Sequence, residues 1–532
     1  MRRTGQLVEA GRAGAGIAWD SGLIRPLAPT TLGRMASAGL RHGPAASALL
    51  GLAAARWPSR TCIIDDDTSL TFSQVYVRAG RLAGALRARG VSRDSRVGVM
   101  CRNHCGFVIA SFASMWTDAD LVLLNTDFGG AQLGGVVASE ELDVLIFDSE
   151  FSGVVAASGF TGLALIADAD ATGPGSTSEL EEERRSAPRG GGRHGRLVIL
   201  TSGTTGAPKG SKREPEAVGA IAPISSLLRS IGLHSGDTVL ILPPLFHGFG
   251  LAYLLMALTF GCPVAVVRRF DASDVLQRVE RDRVNVLFSV PVMLSRLLDV
   301  PPDERARFDL STLRAVQSGA APLSADLASR FMDEFGDVLH DVYGSTETGW
   351  STIANPDDLR RAPGTVGRPL RGVSVRILDG DDEPVGQGEV GVVFVDSGMT
   401  APDYTNGGGK RVVDAHVSTG DLGHLDESGR LFIDGRDDDM IVSGGENVFP
   451  SEVENLLESQ PAIREAYVLG VADDEFGQRL RAFVVLDVGA ELTSADVRAF
   501  VRDRLARYKV PRDVEFVEAL ERTVTGKVKR VR

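Results

Sequence analysis

Apolar runs and helical repeats alternate along much of the chain. Between residues 60 and 300, short strand-like runs such as 97–100 alternate with helical patterns such as 70–89 and 106–116. Regular alternation of strands and helices is typical of parallel sheets that are covered by helices. We therefore predict an α/β fold whose large N-terminal body consists of helix-covered sheets.

The hydrophobic pattern weakens in two segments. Residues 1–45 are rich in glycine, alanine and arginine, and we predict an irregular lead-in there. Residues 171–196 combine glycine, serine and proline with a run of acidic and then basic residues, which predicts a solvent-exposed surface loop. We expect no clear function from the lead-in.

The C-terminal part has two further patterns. Short strands at 373–378, 390–395 and 430–434, with Asp-Gly turns, predict a small β-rich unit within the large body. Helical patterns then alternate with strand-like runs, which predicts a small α/β domain; the helices are expected at 451–458 and 494–507, and the strands at 466–470 and 482–486. We predict a large domain over residues 1–437 and a small domain over 438–532.

Size and charge exclude several classes of protein. A chain of 532 residues with 43% hydrophobic residues can bury a large core in two or three domains. A net charge of −13 argues against a nucleic-acid partner, which would require a basic stripe. Four cysteines form no disulfide framework, so we predict a reducing cytoplasm.

Two local patterns suggest a membrane span and a metal site, and we favour neither. The uncharged stretch 238–267 is long enough to cross a bilayer, but prolines and glycines interrupt it, so a buried strand–loop–helix–strand unit is expected. Cys101, His104 and Cys105 lie close together, but no second pair follows at the spacing of a zinc site.

The most informative segment is a loop of ten residues, 201–210, directly after the apolar run 197–200. It reads Thr-Ser-Gly-Thr-Thr-Gly-Ala-Pro-Lys-Gly. Its glycines allow main-chain N–H groups to approach an anion, its hydroxyl groups add donors, and Lys209 adds a positive charge. This is the chemistry of a triphosphate-binding loop. A glycine-rich turn without a ligand is the alternative interpretation.

The loop is not a Walker A motif, which requires Gly-x-x-x-x-Gly-Lys-[Ser/Thr]. Counted from Gly203, Pro208 stands at the second glycine position. Gly210 stands where the magnesium-binding hydroxyl group is needed. An unrelated ATPase of the common type is therefore disfavoured.

The loop resembles the signature segment of the adenylate-forming superfamily, which includes acyl-CoA synthetases, adenylation domains and luciferases. Further segments resemble the other motifs of this family in the family's order: 318–323 (SGAAPL), 341–348 (DVYGSTET), 364–369 (GTVGRP), 418–421 (STGD), 435–441 (GRDDDMI), 443–447 (SGGEN) and 525–527 (TGK). The resemblance extends from about residue 197 to the C-terminus and is closest to bacterial fatty acyl-CoA synthetases. It implies a small mobile α/β lid domain that is joined to the body at a hinge, here Asp438.

The resemblance also implies an ATP site with magnesium. The loop residues would hold the β- and γ-phosphates: Thr201, Ser202, Gly203, Thr204, Thr205, Gly206 and Lys209. Tyr343, after Val342 and before Gly344, would stack on adenine, with Gly319, Ala320 and Ala321 as the opposite wall. Thr346 would bind the α-phosphate, and Asp421 and Arg436 would reach the ribose. Glu347 would bind Mg²⁺ with Thr201 as a second ligand; a carboxylate that caps a helix is the alternative for Glu347.

Other positions resemble the family's residues for the acid and for CoA. His247 matches the position that gates the acyl pocket; a loop histidine that is hydrogen bonded to backbone is the alternative. Val290, Met293 and Gly319 are the acyl-pocket candidates, and Gly445 would border the pantetheine tunnel. Lys527 would bridge the substrate carboxylate and the α-phosphate in the first step only; by itself it reads as a surface lysine.

The sequence departs from the family in two places. Many relatives carry a proline at Glu521 or Arg522, and the phosphate loop continues with Ser211-Lys-Arg213 instead of the commoner valine. Neither change removes a group that the chemistry needs.

These patterns predict an ATP-dependent enzyme, an AMP-forming acid–thiol ligase, with catalytic residues Lys527, Glu347, Thr346 and Lys209. The expected substrates are ATP, CoA and a carboxylic acid, with a medium- to long-chain fatty acid preferred, and Mg²⁺ is the expected cofactor. The alternatives are an acyl-adenylate ligase that loads a carrier-protein phosphopantetheine, and a non-catalytic nucleotide-binding scaffold. We expect a cytoplasmic protein without a transmembrane segment; a loose membrane association and a homodimer stay open.

Overall fold

The structure of the chain is a computed structural model. It describes residues 16, 20–23, 27–43, 46–168, 173, 175–187, 195–201, 209–210, 219–345, 347–400, 410–436, 441–443, 446–473, 477–523 and 528–529. All structural statements below concern these residues.

The helices vary from one turn to almost five turns. In chain order they are α1 Pro29–His42, α2 Ser47–Arg56, α3 Phe72–Ala88, α4 Cys105–Trp116, α5 Gly130–Ser139, α6 Ser152–Ala157, α7 Thr177–Glu182, α8 Ile221–Ser230, α9 Gly248–Thr259, α10 Ala272–Arg281, α11 Pro291–Leu298, α12 Pro302–Arg305, α13 Ala325–Phe335, α14 Pro356–Arg361, α15 Pro450–Glu458 and α16 Ser494–Arg502. Short 3₁₀ helices occupy Ser149–Phe151 and Arg507–Lys509.

The strands of the body are mostly short and buried. They are β1 Thr61–Ile64, β2 Ser69–Thr71, β3 Arg96–Met100, β4 Asp120–Leu123, β5 Val144–Phe147, β6 Leu163–Ile166, β7 Leu197–Thr201, β8 Lys209–Gly210, β9 Val239–Ile241, β10 Val264–Val266, β11 Val286–Phe288, β12 Ala315–Gly319, β13 Leu339–Ser345, β14 Gly349–Ala354, β15 Thr365–Pro369, β16 Ser374–Leu378, β17 Gly391–Asp396, β18 Val412–Val413, β19 His416–Leu425 and β20 Leu431–Arg436. Five strands follow in the C-terminal part: β21 Ile441–Ser443, β22 Glu446–Val448, β23 Ile463–Asp473, β24 Gly477–Leu486 and β25 Asp513–Phe516.

The strands form three sheets. The largest has the order β16-β17-β19-β20-β15-β14-β13-β12-β11-β9-β10-β1-β2, with β18 paired to β19. Its central strands β13, β12, β11, β9, β10 and β1 are parallel, whereas the strands from β14 to β20 pair antiparallel. The second sheet has the order β6-β5-β3-β4-β7-β8. The third, β22-β21-β24-β23 with β25 beside β24, lies in the C-terminal part.

The main hydrophobic core lies between the two large sheets and their helices. It contains buried residues of both sheets, for example Val97 and Val239, and of helices α3, α4 and α9. A separate core, which includes Val453 and Val484, supports the C-terminal sheet. This architecture confirms the predicted α/β class with a large sheet-containing body and a smaller C-terminal unit. Movement of that unit, its hinge at Asp438 and the boundary at residue 437 stay predictions.

The predicted lead-in at 1–45 is wrong in part, because α1 occupies residues 29–42. The helix begins with Pro29 at its first turn, a position where proline is tolerated. At its end, the His42 ring stacks on Trp116 at 4.4 Å between centroids, and its Nε2 atom lies 3.2 Å from the Tyr76 hydroxyl. These contacts with residues far along the chain cannot be read from a segment rich in alanine and glycine.

The predicted loop at 171–196 also contains a helix, α7. Ser176 caps it by accepting a hydrogen bond from the Glu179 backbone N–H. Glu181 is buried because Arg78 of α3 donates two hydrogen bonds to its carboxylate, at 2.6 and 3.2 Å. The acidic run is therefore not wholly exposed to solvent, because Glu181 contacts the body.

The stretch 238–267 forms β9, a loop, α9 and β10, as predicted. Among the helices of the described segments, none combines the length and the apolar character needed to cross a bilayer. Around the candidate metal site, the ligand atoms of Cys101, His104 and Asp148 lie within 4.8 Å of one another. Both His104 ring nitrogens are already hydrogen bonded, to Asp148 at 2.7 Å and to the Gly106 N–H at 3.0 Å.

Candidate active site

A large cavity lies between the body and the C-terminal unit. Its volume is about 1920 Å³. The ends of the parallel strands β12 and β13 border it on one side, and residues of α15, β23 and β24 border it on the other. Ligands of parallel α/β sheets bind at the carboxyl ends of the strands, so this cavity is the candidate active site.

Three predicted nucleotide residues, on strands β13, β19 and β20, meet at this cavity. The Tyr343 hydroxyl donates a hydrogen bond to Oδ2 of Asp421 at 2.5 Å, and Arg436 donates to Oδ1 at 3.2 Å. Asp421 and Arg436 are direct cross-strand partners of β19 and β20. Burial and the neighbouring Asp421 carboxylate raise the pKa of Tyr343, so its hydroxyl stays a donor. The Asp421 carboxylate is thus held in one orientation at the cavity wall.

Positive charge is concentrated beside Asp421. Lys410 lines the cavity, and its Nζ atom lies 3.4 Å from the carbonyl oxygen of Thr419. Gly420 adopts φ +80°, and a Cβ atom there would lie 3.2 Å from Lys410 Nζ and 3.4 Å from an Arg436 nitrogen. Two cations therefore flank one carboxylate, which suits an anionic ligand that also has hydroxyl groups. Sequence reasoning did not select Lys410, because it lies outside the quoted motifs.

Ala320, Ala321 and Tyr343 line the cavity, whereas the predicted wall residue Gly319 is buried beside it. Gly319 pairs with the buried Val342 across β12 and β13. A Cβ atom on Gly319 would lie 2.7 Å from Val342 Cγ1 and 2.9 Å from a ring atom of Phe249, so only glycine fits there. Ala320 adopts φ +65°, a conformation that is uncommon for residues other than glycine.

Asp341 is a cavity-lining acid that sequence reasoning missed. It is 4% exposed, and its Oδ1 atom has no hydrogen-bond partner among the described residues. Burial raises its pKa from the ordinary value of 3.8 to about 7, an effect that neighbouring Ser318 opposes only in part. A buried polar atom without a partner is costly and indicates a ligand that donates a hydrogen bond. Its place in the motif gave no sign of its burial.

The raised pKa of Asp341 predicts a pH-dependent stability. In the unliganded protein the folded state keeps the proton up to about pH 7, whereas the unfolded chain loses it near pH 4, so stability falls as the pH rises through this window. Asp341→Asn removes this loss. We expect its gain in the free energy of unfolding to be larger at pH 8 than at pH 5 by roughly 2–3 kcal/mol, measured by denaturant unfolding. An equal gain at both pH values, or the same trend in the exposed Asp381→Asn control, would contradict the prediction.

Glu347 lies in the tight turn between β13 and β14 and lines the cavity. The Ser345 hydroxyl accepts hydrogen bonds from the backbone N–H groups of Glu347 and Thr348, both at 3.2 Å. No helix begins here, so the alternative role of Glu347 as a helix cap is excluded. The hairpin itself requires glycine at position 344, because a Cβ atom there would lie 2.1 Å from the Gly349 carbonyl oxygen.

His247 is hydrogen bonded to backbone and also lines the cavity. It precedes α9 as the N-cap residue, with its Nδ1 atom accepting from the Phe249 N–H at 3.4 Å. It also lines the cavity, next to Phe249. Its position at the start of α9 is compatible with a gate, and that role stays a prediction.

The acyl-pocket candidates Val290, Met293 and Gly319 do not line this cavity. Val290 and Met293 are 1% and 9% exposed and belong to the core on the other face of the large sheet. The cavity is bordered instead by Pro291, Val292 and Ser295 of α11. The helix begins at Pro291, and this start determines which of its sides faces the cavity.

Several predicted residues lie outside the described residues: Ser202, Gly203, Thr204, Thr205, Gly206, Thr346, Asp438, Gly445 and Lys527. Thr201 and Lys209 are described in their backbone only, as cross-strand partners of β7 and β8. The apolar run before the loop forms β7, as predicted.

Comparisons with known proteins cover both parts of the chain. The model of the AMP-binding enzyme family matches residues 51–405, and that of the AMP-binding enzyme C-terminal domain matches residues 452–527. An indoleacetate–CoA ligase of Aromatoleum aromaticum is 33% identical over 488 residues, which is 89% of this chain and 94% of the relative. A feruloyl-CoA synthase of Amycolatopsis is 32% identical over 476 residues, 88% of this chain and 94% of the relative.

Solved structures of CoA ligases are also similar to this chain. The o-succinylbenzoate CoA synthetase of Bacillus subtilis, in complex with ATP and magnesium, has a TM-score of 0.76 and 27% identity over 90% of this chain and 98% of its own. An anthranilate CoA ligase in complex with anthranoyl-AMP has a TM-score of 0.81 and 25% identity over 91% of this chain and 95% of its own.

Proposed function

The chain belongs to the AMP-binding enzyme family, and from this premise we propose that it is an AMP-forming acid–CoA ligase. In the first step, a carboxylate oxygen of the acid attacks the α-phosphorus of ATP, the bond to the β-phosphate bridge breaks, and diphosphate leaves. In the second step, the thiolate sulfur of CoA attacks the acyl carbon and AMP leaves, while the thiol proton passes to solvent.

The observation that carries the proposal is the fixed position of the Asp421 carboxylate at the cavity wall. The carboxylate is fixed by Tyr343 and Arg436, and a carboxylate is the acceptor type that suits the two ribose hydroxyl groups. Asp341 has one oxygen without a partner among the described residues, in the same cavity. This oxygen can accept a hydrogen bond from the exocyclic amine of adenine. The Tyr343 ring is then available to stack on the base.

The phosphates would be held at the other end of the cavity. The 201–210 loop follows β7 and offers backbone N–H groups, hydroxyl groups and Lys209 to the β- and γ-phosphates. Glu347 has a carboxylate in the β13–β14 turn, the ligand type that Mg²⁺ prefers, with Thr201 as a second ligand and Thr346 on the α-phosphate. The metal would neutralise phosphate charge; the residues of the chain hold and orient the groups that react.

The C-terminal unit would complete each step in turn. Lys527 would hold the acid carboxylate and the α-phosphate together during adenylation. Rotation about Asp438 would then replace it with the segment around Gly445, beside the CoA arm. In the conformation described, α15 and β23 already border the cavity, and Arg522 donates to Glu465 within the unit at 2.7 Å.

The acid is proposed more broadly than the sequence suggested. The named relatives are ligases of indoleacetate and ferulate, so relatives give no support for a fatty acid. The proposed acid carries no charge apart from its carboxylate. A cytoplasmic location and the lack of a nucleic-acid partner are part of the same proposal. A homodimer and a loose membrane association stay predictions.

Diphosphate release with a panel of acids tests the proposal. We expect release that depends on the acid and on ATP, and that turns over repeatedly only when CoA is present, with AMP as the nucleotide product. Release that stops near one equivalent despite CoA would favour the carrier-protein acceptor. ADP as the product, or no release with any acid despite tight ATP binding, would contradict the proposed ligase and favour an ATPase or a nucleotide-binding scaffold.

A further inference from the structure

Helix α1 presents a row of apolar side chains to solvent. Leu40 is 90% exposed, Leu32 is 53% exposed, and Ala36, one turn from each, is exposed as well. Residues four positions apart share one side of a helix, so these three form a single apolar row about 12 Å long. A Cβ atom added at Gly33, on the same exposed face, would meet no atom within 4 Å. Within the described part of the chain, the apolar row is therefore open to solvent.

Another side of α1 holds the helix against the body. Ala38 and His42 are buried, and the His42 ring stacks on Trp116 at 4.4 Å between centroids. At the end of the helix, the Gly43 N–H donates a hydrogen bond to the Gly39 carbonyl oxygen at 2.8 Å. The body thus keeps the apolar row in one outward orientation.

Two arginines share the exposed face of α1 with the apolar row. Arg34 and Arg41 are both exposed, and their spacing of seven residues places them along one edge of that face. Between Asp20 and Asp65 the sequence contains five arginines and no aspartate or glutamate, although the whole chain has a net charge of −13. The surface around α1 therefore combines exposed apolar groups with local positive charge.

This combination distinguishes between the surfaces that could cover the apolar row. In a symmetric contact with a second copy of the chain, α1 would meet the same arginines on its partner, and the helix has no acidic residue to pair with them. An anionic lipid surface offers phosphate groups to the arginines and an apolar layer to the leucines. Charge complementarity therefore favours the lipid surface.

We infer that α1 binds reversibly to the surface of an anionic lipid bilayer. The helix lies parallel to the surface, with the apolar row at the boundary between headgroups and acyl chains and with Arg34 and Arg41 at the phosphate groups. Binding is weak, because two leucines and one alanine bury little apolar area. The helix lies outside the residues 51–405 that the family model matches, and none of its residues borders the large cavity. This contact is therefore a property beyond the proposed ligase reaction.

Co-sedimentation of the purified full-length chain with lipid vesicles tests the inference. Vesicles in which phosphatidylglycerol makes up roughly a third of the lipid are compared with vesicles of phosphatidylcholine alone. We expect at least about tenfold stronger binding to the anionic vesicles. Raising the ionic strength from about 0.05 M to about 0.5 M should weaken this binding by roughly fivefold or more, because salt screens the arginines.

Leu32→Gln together with Leu40→Gln removes most of the apolar row. We expect this variant to bind the anionic vesicles at least about tenfold more weakly than the wild type. Both side chains are exposed, so its melting temperature should equal that of the wild type. Val488→Gln is the matched control, since Val488 is 92% exposed but lies in the C-terminal unit, and it should bind like the wild type.

Arg34→Gln together with Arg41→Gln tests the charge separately. Each arginine near an anionic surface contributes about fivefold to binding, so we expect a loss of roughly tenfold to thirtyfold on anionic vesicles and no change on phosphatidylcholine. Lysine at both positions should restore the binding, because it keeps the charge. Arg307→Gln together with Arg502→Gln, at two exposed positions away from α1, is the matched control.

The outcomes separate this inference from the ligase function. Failure of the wild type to bind anionic vesicles, equal binding to both kinds of vesicle, or equal losses in the α1 variants and their controls would overturn it. A wild-type dimer that forms without lipid and dissociates in the leucine variant would assign the apolar row to a second copy and overturn it too. Acid-dependent diphosphate release without vesicles should stay within about twofold of the wild type in every α1 variant. Absence of that release in the wild type would contradict the ligase function and leave the lipid result unchanged.

Discussion

Lys527→Ala is expected to lower the rate of acid-dependent diphosphate release by about 10²- to 10³-fold. A positioned cation that stabilises charge only in the transition state typically contributes this much to the rate. Lys527 would bring the acid carboxylate and the α-phosphate, both negatively charged, within reacting distance. Its loss should therefore lower kcat for adenylation far more than it raises the KM for ATP.

The second half-reaction separates this role from a general defect. Lys527 is proposed to act in adenylation only, so the variant should still convert a synthetic acyl-adenylate and CoA into acyl-CoA at a rate within about threefold of the wild type. Lys529, two residues further and exposed, provides the matched control. Lys529→Ala should keep both half-reactions. Equal loss of both half-reactions in Lys527→Ala, or an equal loss in Lys529→Ala, would contradict the proposed role.

Asp421→Ala is expected to lower kcat/KM for ATP by about 10²- to 10⁴-fold. The substitution removes two hydrogen-bond acceptors that carry charge, each worth about 1.5–3 kcal/mol, and it leaves the Tyr343 hydroxyl and Arg436 without this partner. The effect should appear as weaker ATP binding in calorimetry and in KM. The KM for the acid should change little, because Asp421 lies at the nucleotide wall.

Tyr343→Phe tells whether Asp421 acts directly or only through its neighbours. This variant removes the hydroxyl that fixes Oδ2 but keeps the carboxylate and the ring. We expect less than about a tenfold loss in kcat/KM for ATP. If Tyr343→Phe lost as much as Asp421→Ala, the carboxylate would serve mainly to orient the tyrosine, and the proposed ribose contact would be wrong.

The sequence predicted well what depends on local pattern. The strand before the phosphate loop, the buried unit at 238–267 and the short strands near 374–378 follow from runs of apolar residues and turns. Motifs also selected Tyr343, Asp421 and Arg436. Their contact could not be predicted, because it depends on the pairing of β19 with β20 and on residues 78 positions apart in the chain.

The misplaced residues have physical reasons. Val290 and Met293 were chosen by similarity of position, but a shift of one residue turns a helical side chain by about 100°, and the side facing the cavity belongs to Pro291, Val292 and Ser295. Asp341 was missed because its importance comes from burial. Glu181 was assigned to solvent because its partner, Arg78, lies far away in the sequence.

The cysteines have a practical consequence for measuring motion. Cys62, Cys101, Cys105 and Cys262 are all buried, and burial raises the pKa of each thiol. Thiol-reactive dyes attack the thiolate, so the folded native chain should stay unlabelled. One engineered cysteine on the exposed surface of the body and one on the C-terminal unit would then carry a fluorophore pair without removal of any native cysteine. Energy transfer between them would report the proposed rotation directly, one molecule at a time, during turnover.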